Sequence, residues 1–277
     1  MRMREIALIA AREVREALRS RWFVIAALCL LLLSLGLSLL GLSGAQRSGL
    51  AGFDRTTAGL LNLALLFVPL LGLSLGALGI AGEIEDGSLA VLAAQPVTRA
   101  EVYAGKYAGL LLALTAAILG GFGASGTIVA LGSGGGDARA FLSLAAIAVL
   151  LGAVSLGLGA LLSVATGSRA RAAGAAFAAW IALVYLSDLG SMGLVLARNL
   201  GPDRVFILAF LNPVEQARVL GTLALTHRPE VLGVVGLYGQ DHLGAFGLPA
   251  ALALALVAWA IGAVLSGMAV FRKVVIP

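Results

Sequence analysis

The sequence predicts an all-α membrane protein with six transmembrane helices, and three observations carry that expectation. Hydrophobic residues make up 60% of the 277 and charged residues only 12%, against about 25% charged in a soluble domain. With a mean hydropathy of +1.03, the chain has more apolar surface than one core can hide, so lipid must act as its solvent. The apolar runs are continuous and about 20 residues long, enough to cross a ~30 Å hydrocarbon core. A membrane β-barrel would instead need short alternating segments. The 37 glycines fit helices that approach one another closely inside a bilayer.

The first element precedes the first span, over residues 3–20 and most clearly 5–19. At about 100° per residue, Ile6, Ala7, Ala10, Ala11, Val14, Ala17 and Leu18 share one arc; Arg12, Glu13, Arg15, Glu16 and Arg19 lie opposite, with Leu8 and Ile9 interrupting the polar face. This is the pattern of an interfacial "elbow" helix lying along a leaflet. The spans follow at roughly 22–42, 58–81, 103–131, 140–165, 172–197 and 247–271. The first is too long for the apolar region of a cleavable signal peptide. An even number of spans puts both termini on one side. That side carries twelve of the 19 Lys and Arg and the other side seven, so the positive-inside rule places both termini in the cytoplasm. The pI near 10 reflects these loop charges and does not imply nucleic acid.

Between the second and third spans the chain reads GEIEDGSLAVLAAQPVTRAEVYAGK over 82–106, with the acids Glu83, Glu85, Asp86 and Glu101 on the side where cations are expected. Leu89, Leu92 and Ala93 share one face of a short helix that Pro96 stops. The acids favour its start, where the helix dipole suits them. An acid-rich, partly apolar stub facing the cytoplasm is a docking knob for a soluble partner; the plain alternative is an ordinary capped loop.

Catalytic motifs are weak. Gly72-Leu73-Ser74-Leu75-Gly76 has the GxSxG pattern but falls mid-span, where a small-residue packing face is expected rather than a nucleophile elbow. Gly132-Ser133-Gly134-Gly135-Gly136 is a flexible turn with no Lys-Ser/Thr after it, and no GxxxxGK[ST] occurs. His227 and His242 lie in the outer connection and Cys29 is the only cysteine; no ligand set for copper or zinc is present, and no metal site is expected. An intramembrane hydrolase would need a nucleophile with a base in reach, and both histidines fall outside the spans.

Asp188 lies in the fifth span, where an acid at mid-helix costs roughly 2.5–3.5 kcal/mol. It is either a lining or inter-subunit group, or the span is shifted and Asp188 sits near its outer end. The connection 198–246 contains Val205–Leu211, too short to cross, then Asn212-Pro213-Val214-Glu215. That order of N-cap, first-turn proline and third-position Glu starts a short helix to about Leu225. Interfacial helices dipping into the outer leaflet are expected there, with a loop ending near Gly247.

The pattern Glu83…Gly87-Ser88-Leu89…Leu92…Pro96-Val97-Thr98-Arg99…Gly105-Lys106 resembles the first cytoplasmic loop of ABC-2 class permeases. The likeness extends over the whole chain: elbow helix, six spans, and a structured outer connection before the last span. It implies a type V exporter-like fold in the bacterial inner membrane. It also implies that 83–99 is a coupling helix seated in a separate ATPase subunit, with Arg169 and Arg171 of the short 167–171 loop as a second contact. Glu83, Glu85, Asp86, Gly87, Leu89, Leu92, Pro96 and Arg99 would then form the docking set. The resemblance further implies two permease copies and two ATPase copies, with ATP and Mg bound by the ATPase and no cofactor or catalytic residue in this chain.

Within that class, Leu211-Asn212-Pro213, Arg218-Val219-Leu220 and Asp188-Leu189 are similar to the membrane subunits of nitrous oxide reductase maturation systems. The likeness implies a periplasmic β-helical partner, contacted through Asn212, Pro213, Glu215 and Arg218. It also implies a role in the reductase's copper-site assembly, with the reductase itself as a further partner. The alternative within the class is an exporter of a small molecule, lipid or peptide, which needs a continuous lined cavity along the dimer axis. A structural scaffold would show no nucleotide-dependent change in its outer segment.

Overall fold

The computed structural model describes residues 3–48, 51–89, 97–132, 138–186, 201–226 and 228–273. Among them every regular element is helical. An N-terminal helix α1 (Met3–Arg19) is separated by Ser20 alone from α2 (Arg21–Ser48). Then come α3 (Ala51–Glu85), α4 (Arg99–Gly132), α5 (Ala138–Thr166) and α6 (Arg169–Ile181), the last continued by a π-helical turn Ala182–Leu186. Two shorter helices, α7 (Pro202–Leu211) and α8 (Pro213–Thr226), precede a 3-10 turn Pro229–Leu232 and the final α9 (Gly233–Lys273). Six helical stretches among the described residues are long and apolar enough to cross a membrane.

The bundle is organised around α5, which packs against α3, α4, α8 and α9. Its crossing with α3 is tight because both helices present glycine there. A Cβ on Gly76 would lie 2.7 Å from Ala160 N, and one on Gly159 2.9 Å from Leu73 Cα, closer than any side chain tolerates. The Gly72–Gly76 stretch therefore sits in a helix crossing, and Ser163 Oγ clamps it by donating to Ala77 O and accepting from Ala81 N, each at 2.6 Å. Leu60, Val68, Leu114, Ile118, Leu151, Val154 and Leu256 fill the core beside the crossing. Outward faces such as Ile25, Leu32 and Leu40 of α2, and Leu254 and Ile261 of α9, stay exposed, as helices solvated by lipid require.

Two elements differ from the sequence reading. The last helix begins at Gly233, well before residue 247, and breaks at Gly244 (φ 75°, ψ 173°), a conformation open to glycine. The glycines there read as a loop, but Gly239 is a packing position: a Cβ would meet Leu248 Cδ1 at 2.7 Å and Phe206 Cε2 of α7 at 2.9 Å. The buried side of α1 is also turned from the apolar arc. It centres on Ala10, Glu13 and Ala17 against α4. Ile9, which interrupts the polar face, packs with Val102, Tyr103 and Phe271.

Candidate functional site

The turn of α1 is explained by Lys106. This lysine is fully buried in the first turns of α4, and its Nζ lies 2.6 Å from Glu13 Oε1 of α1 and 3.0 Å from Glu83 Oε1 at the end of α3. A buried cation needs carboxylate partners close by, and two helices supply them. Gly109 lets α1 approach: a Cβ there would meet Glu13 Cβ at 2.6 Å. Arg12 extends the cluster towards solvent, 2.7 Å from Glu16 and 3.4 Å from Glu83. The oxygens of Glu13, Glu16 and Glu83 come within 4.8 Å of one another, and Lys106 and Arg12 offset most of that negative charge. Burial pushes the Glu13 carboxyl above the usual glutamate range, with Lys106 opposing the shift. The hydrogen bond to Glu16 raises the Arg12 guanidinium.

One helical turn further, the two loops of this end are joined. Glu85 Oε2 accepts from the backbone N–H of Arg169 at 2.6 Å, so a side chain of the 83–99 segment caps α6. Ser168, at the N-cap position, makes no side-chain cap of its own. The Arg169 guanidinium pairs with Asp86. Gly87 turns the chain at φ 71°, and Arg171 Nε donates to Ser168 Oγ at 3.0 Å. Glu85, Asp86, Gly87, Arg169 and Arg171 are all exposed.

Two other members of the expected docking set, Glu83 and Leu89, face inward, while Arg99 stays exposed. Glu83 is taken up by the Lys106 cluster. Leu89 is only 2% exposed and packs with Ile80, Val102, Tyr103, Val164 and Phe271. Arg99 Nη1 donates to Arg272 O at 2.9 Å, tying α4 to the end of α9. Glu101 is buried in a reciprocal cap: it accepts from Thr98 N at 2.9 Å while its own N–H donates to Thr98 Oγ1 at 3.3 Å. Leu92 and Pro96 lie outside the described residues, as do Asp188 and His227. The sequence reading missed Glu13 and Lys106. An acid on the Ala10–Ala17 face of α1, seven residues along one stripe, was the available signal.

At the other end α8 inserts among α3, α5 and α9, burying Pro213, Val214, Gln216, Ala217 and Val219. Asn212 caps α8, its Oδ1 accepting from Val214 N at 2.9 Å, and its Nδ2 donates to Leu183 O at 2.7 Å in the π-helical turn. A π turn leaves the α-helical ladder out of register, and Asn212 satisfies one of its carbonyls. Gln216 Nε2 donates to Phe210 O, joining α8 back to α7. Asn212 and Pro213 are thus buried, while Glu215 and Arg218 form a half-buried pair at 2.9 Å. His242 is exposed and stacked on Tyr238, their ring centroids 4.0 Å apart.

A six-helix membrane bundle with an elbow helix, a charged inter-helix loop and an inserted short-helix pair defines a class, that of transporter membrane subunits. Residues 7–274 match the ABC-2 family transporter proteins, and the chain belongs to that family. It is similar to the probable ABC transporter permease protein NosY of Stutzerimonas stutzeri, 31% identical over 278 residues covering 98% of this chain and 99% of the relative. It is also similar to the probable ABC transporter permease protein NosY of Pseudomonas aeruginosa, 34% identical over 274 residues covering 96% and 97%. The chain is a multi-pass membrane subunit of an ABC transporter.

Proposed function

We propose that a separate cytoplasmic ABC ATPase drives this chain, which works as a homodimer in the bacterial inner membrane with both termini inside. In this reading it passes the ATPase's closure to the periplasmic side during copper-site assembly of nitrous oxide reductase. The observation that carries the reading is the joined loop platform: Glu85 caps α6 and Asp86 pairs with Arg169, so a partner pressing on either loop moves α3 and α6 together. The Lys106 cluster then passes the displacement to α1 and α4. At the far end α7 and α8 meet a periplasmic β-helical partner through Glu215 and Arg218. Transmission of this kind requires two discrete arrangements biased by nucleotide. The nearly full-length likeness to proteins named NosY supports the reductase as the destination.

Leu89 is a core residue, so charge reversal on the exposed platform is the cleaner probe. Native purification of the chain should bring down an ATPase carrying a Walker motif. Glu85→Lys with Asp86→Lys should cut that recovery about tenfold, which corresponds to ~1.4 kcal/mol. Unchanged recovery, or a purified chain that hydrolyses ATP by itself, would refute the docking. For the destination, a strain lacking the chain should make nitrous oxide reductase without copper absorption; normal spectra would remove the reductase from the account.

A further inference from the structure

We propose that the outer arc of α1 binds the phosphate headgroups of anionic phospholipids, a property independent of the ATPase reading. Around α1 the residues fall into three arcs. Ile9, Ala10, Glu13 and Ala17 face the bundle. Next to them Met3, Ala7, Ala11 and Leu18 form an apolar arc that stays exposed, Met3 at 77% and Leu18 at 56%. Beyond that arc stand Arg4, Arg15 and Arg19, all exposed. Among the described residues Arg12 is the only arginine of α1 with an ion-pair partner.

An exposed apolar strip beside unpaired guanidiniums is unfavourable in water. It is satisfied where acyl chains meet phosphates, and the planar fork of arginine suits a phosphate's oxygens. The arc also continues into Arg21 and the 51%-exposed Trp22 at the start of α2, itself long and apolar enough to span, which puts it at the membrane boundary. A soluble acidic partner would explain the arginines but not Met3 and Leu18. The Lys106 cluster holds this helix against the end of α3, which fixes the arc relative to the spans.

The test uses the full chain in nanodiscs of phosphatidylcholine doped with phosphatidylglycerol, followed by detergent extraction and mass spectrometry of the retained lipid. The expected result is enrichment of phosphatidylglycerol over its share in the bilayer. Each Arg→Gln change at Arg4, Arg15 or Arg19 should lower it by roughly fivefold at low salt, while Arg→Lys changes at the same positions retain most of it. Retention at the bilayer ratio in the wild type overturns the proposal. So does unchanged enrichment in the Gln variants, or enrichment that added salt does not weaken. Loss of a co-purifying protein with phosphatidylglycerol unchanged would reassign the arc to protein docking. If a Gln variant fails to fold, the Lys variants and the wild-type salt series decide the question.

Discussion

The two ends of the bundle solve the same problem with different chemistry. At the elbow end, four helices are fastened by full charges: Lys106 of α4 between Glu13 of α1 and Glu83 of α3, and Arg169 of α6 on Asp86. At the hairpin end, α8 is fastened by neutral donors on backbone carbonyls, Asn212 to Leu183 and Gln216 to Phe210. In the middle of the bundle Trp180 does the same to Leu66 O at 3.0 Å, one turn before Pro69 of α3. Charges are cheap only near water, whereas amides suit depth, where each irregularity of a helix frees a carbonyl that needs a donor. The difference implies that the fastening of the elbow end answers to pH and salt, and that the Asn212 and Gln216 bonds of the hairpin end do not.

The largest test of that contrast is Lys106→Met. It strands Glu13 in a buried site and leaves Glu83 with Arg12 alone, and removing one partner of a buried pair costs roughly 3–5 kcal/mol. Thermal unfolding of the detergent-purified chain should show the loss, and adding Glu13→Gln should restore part of it. The pH dependence has a defined sign. Burial raises the Glu13 carboxyl, so folding favours its protonated form. The stability it contributes is full below the ordinary glutamate value and falls away as pH rises through the raised one. Glu13→Gln should flatten that limb of the profile of Tm against pH, and Lys106→Met should extend it to higher pH. A flat wild-type profile would mean the cluster is not the titrating element.

Next in size is Gly109→Val, which drives a side chain into Ala10 and Glu13 of α1. Overpacking of this kind costs roughly 1–3 kcal/mol, and the elbow should become protease-sensitive before the spans unfold. At the opposite end Asn212→Ala should cost roughly 1–2 kcal/mol by removing the bonds that Asn212 makes to Leu183 O and Val214 N. Asn212→Asp separates the two bonds, since it keeps the cap and loses the donor. If Asp behaves like the wild type, the bond to the π-helical turn has no weight. Asn212→Ala should not alter the pH profile that the Glu13 and Lys106 variants change, whereas the buried carboxylate of Asn212→Asp adds a pH dependence of its own.

The all-α class, the six spans and the elbow helix were legible because each rests on local periodicity and run length. The Asn212-Pro213 start of α8 was legible for the same reason, as capping is a contact between residues two or three apart. What escaped was set by distant partners. Glu13 reads as a solvated acid until Lys106, 93 positions on, is seen to share its site. Leu89 reads as an exposed docking face because Val164 and Phe271, which share its buried cluster, come from distant helices, α5 and α9. Glu101 carried a local signal, Thr-Arg-Ala-Glu, that was read as one more exposed acid instead of a cap. The π-helical turn has no sequence mark, and the donor that meets its Leu183 carbonyl, Asn212, stands 29 positions away.

The smallest expected effect is also the one that best separates structure from function. Arg169 and Asp86 are both about half exposed, 53% and 52%, and pairs of that kind are worth between about 0 and 1 kcal/mol. Arg169→Gln should therefore leave Tm nearly unchanged, and added salt should erase whatever difference remains. The backbone bond from Arg169 to Glu85 survives that substitution, so the cap on α6 stays. Any loss of ATPase recovery or nucleotide response in this variant is then a loss of communication at constant stability. A Tm drop comparable to that of Lys106→Met would show the opposite: that the exposed loops hold the bundle together, and that the contrast between a rigid buried cluster and a solvent-facing platform does not hold.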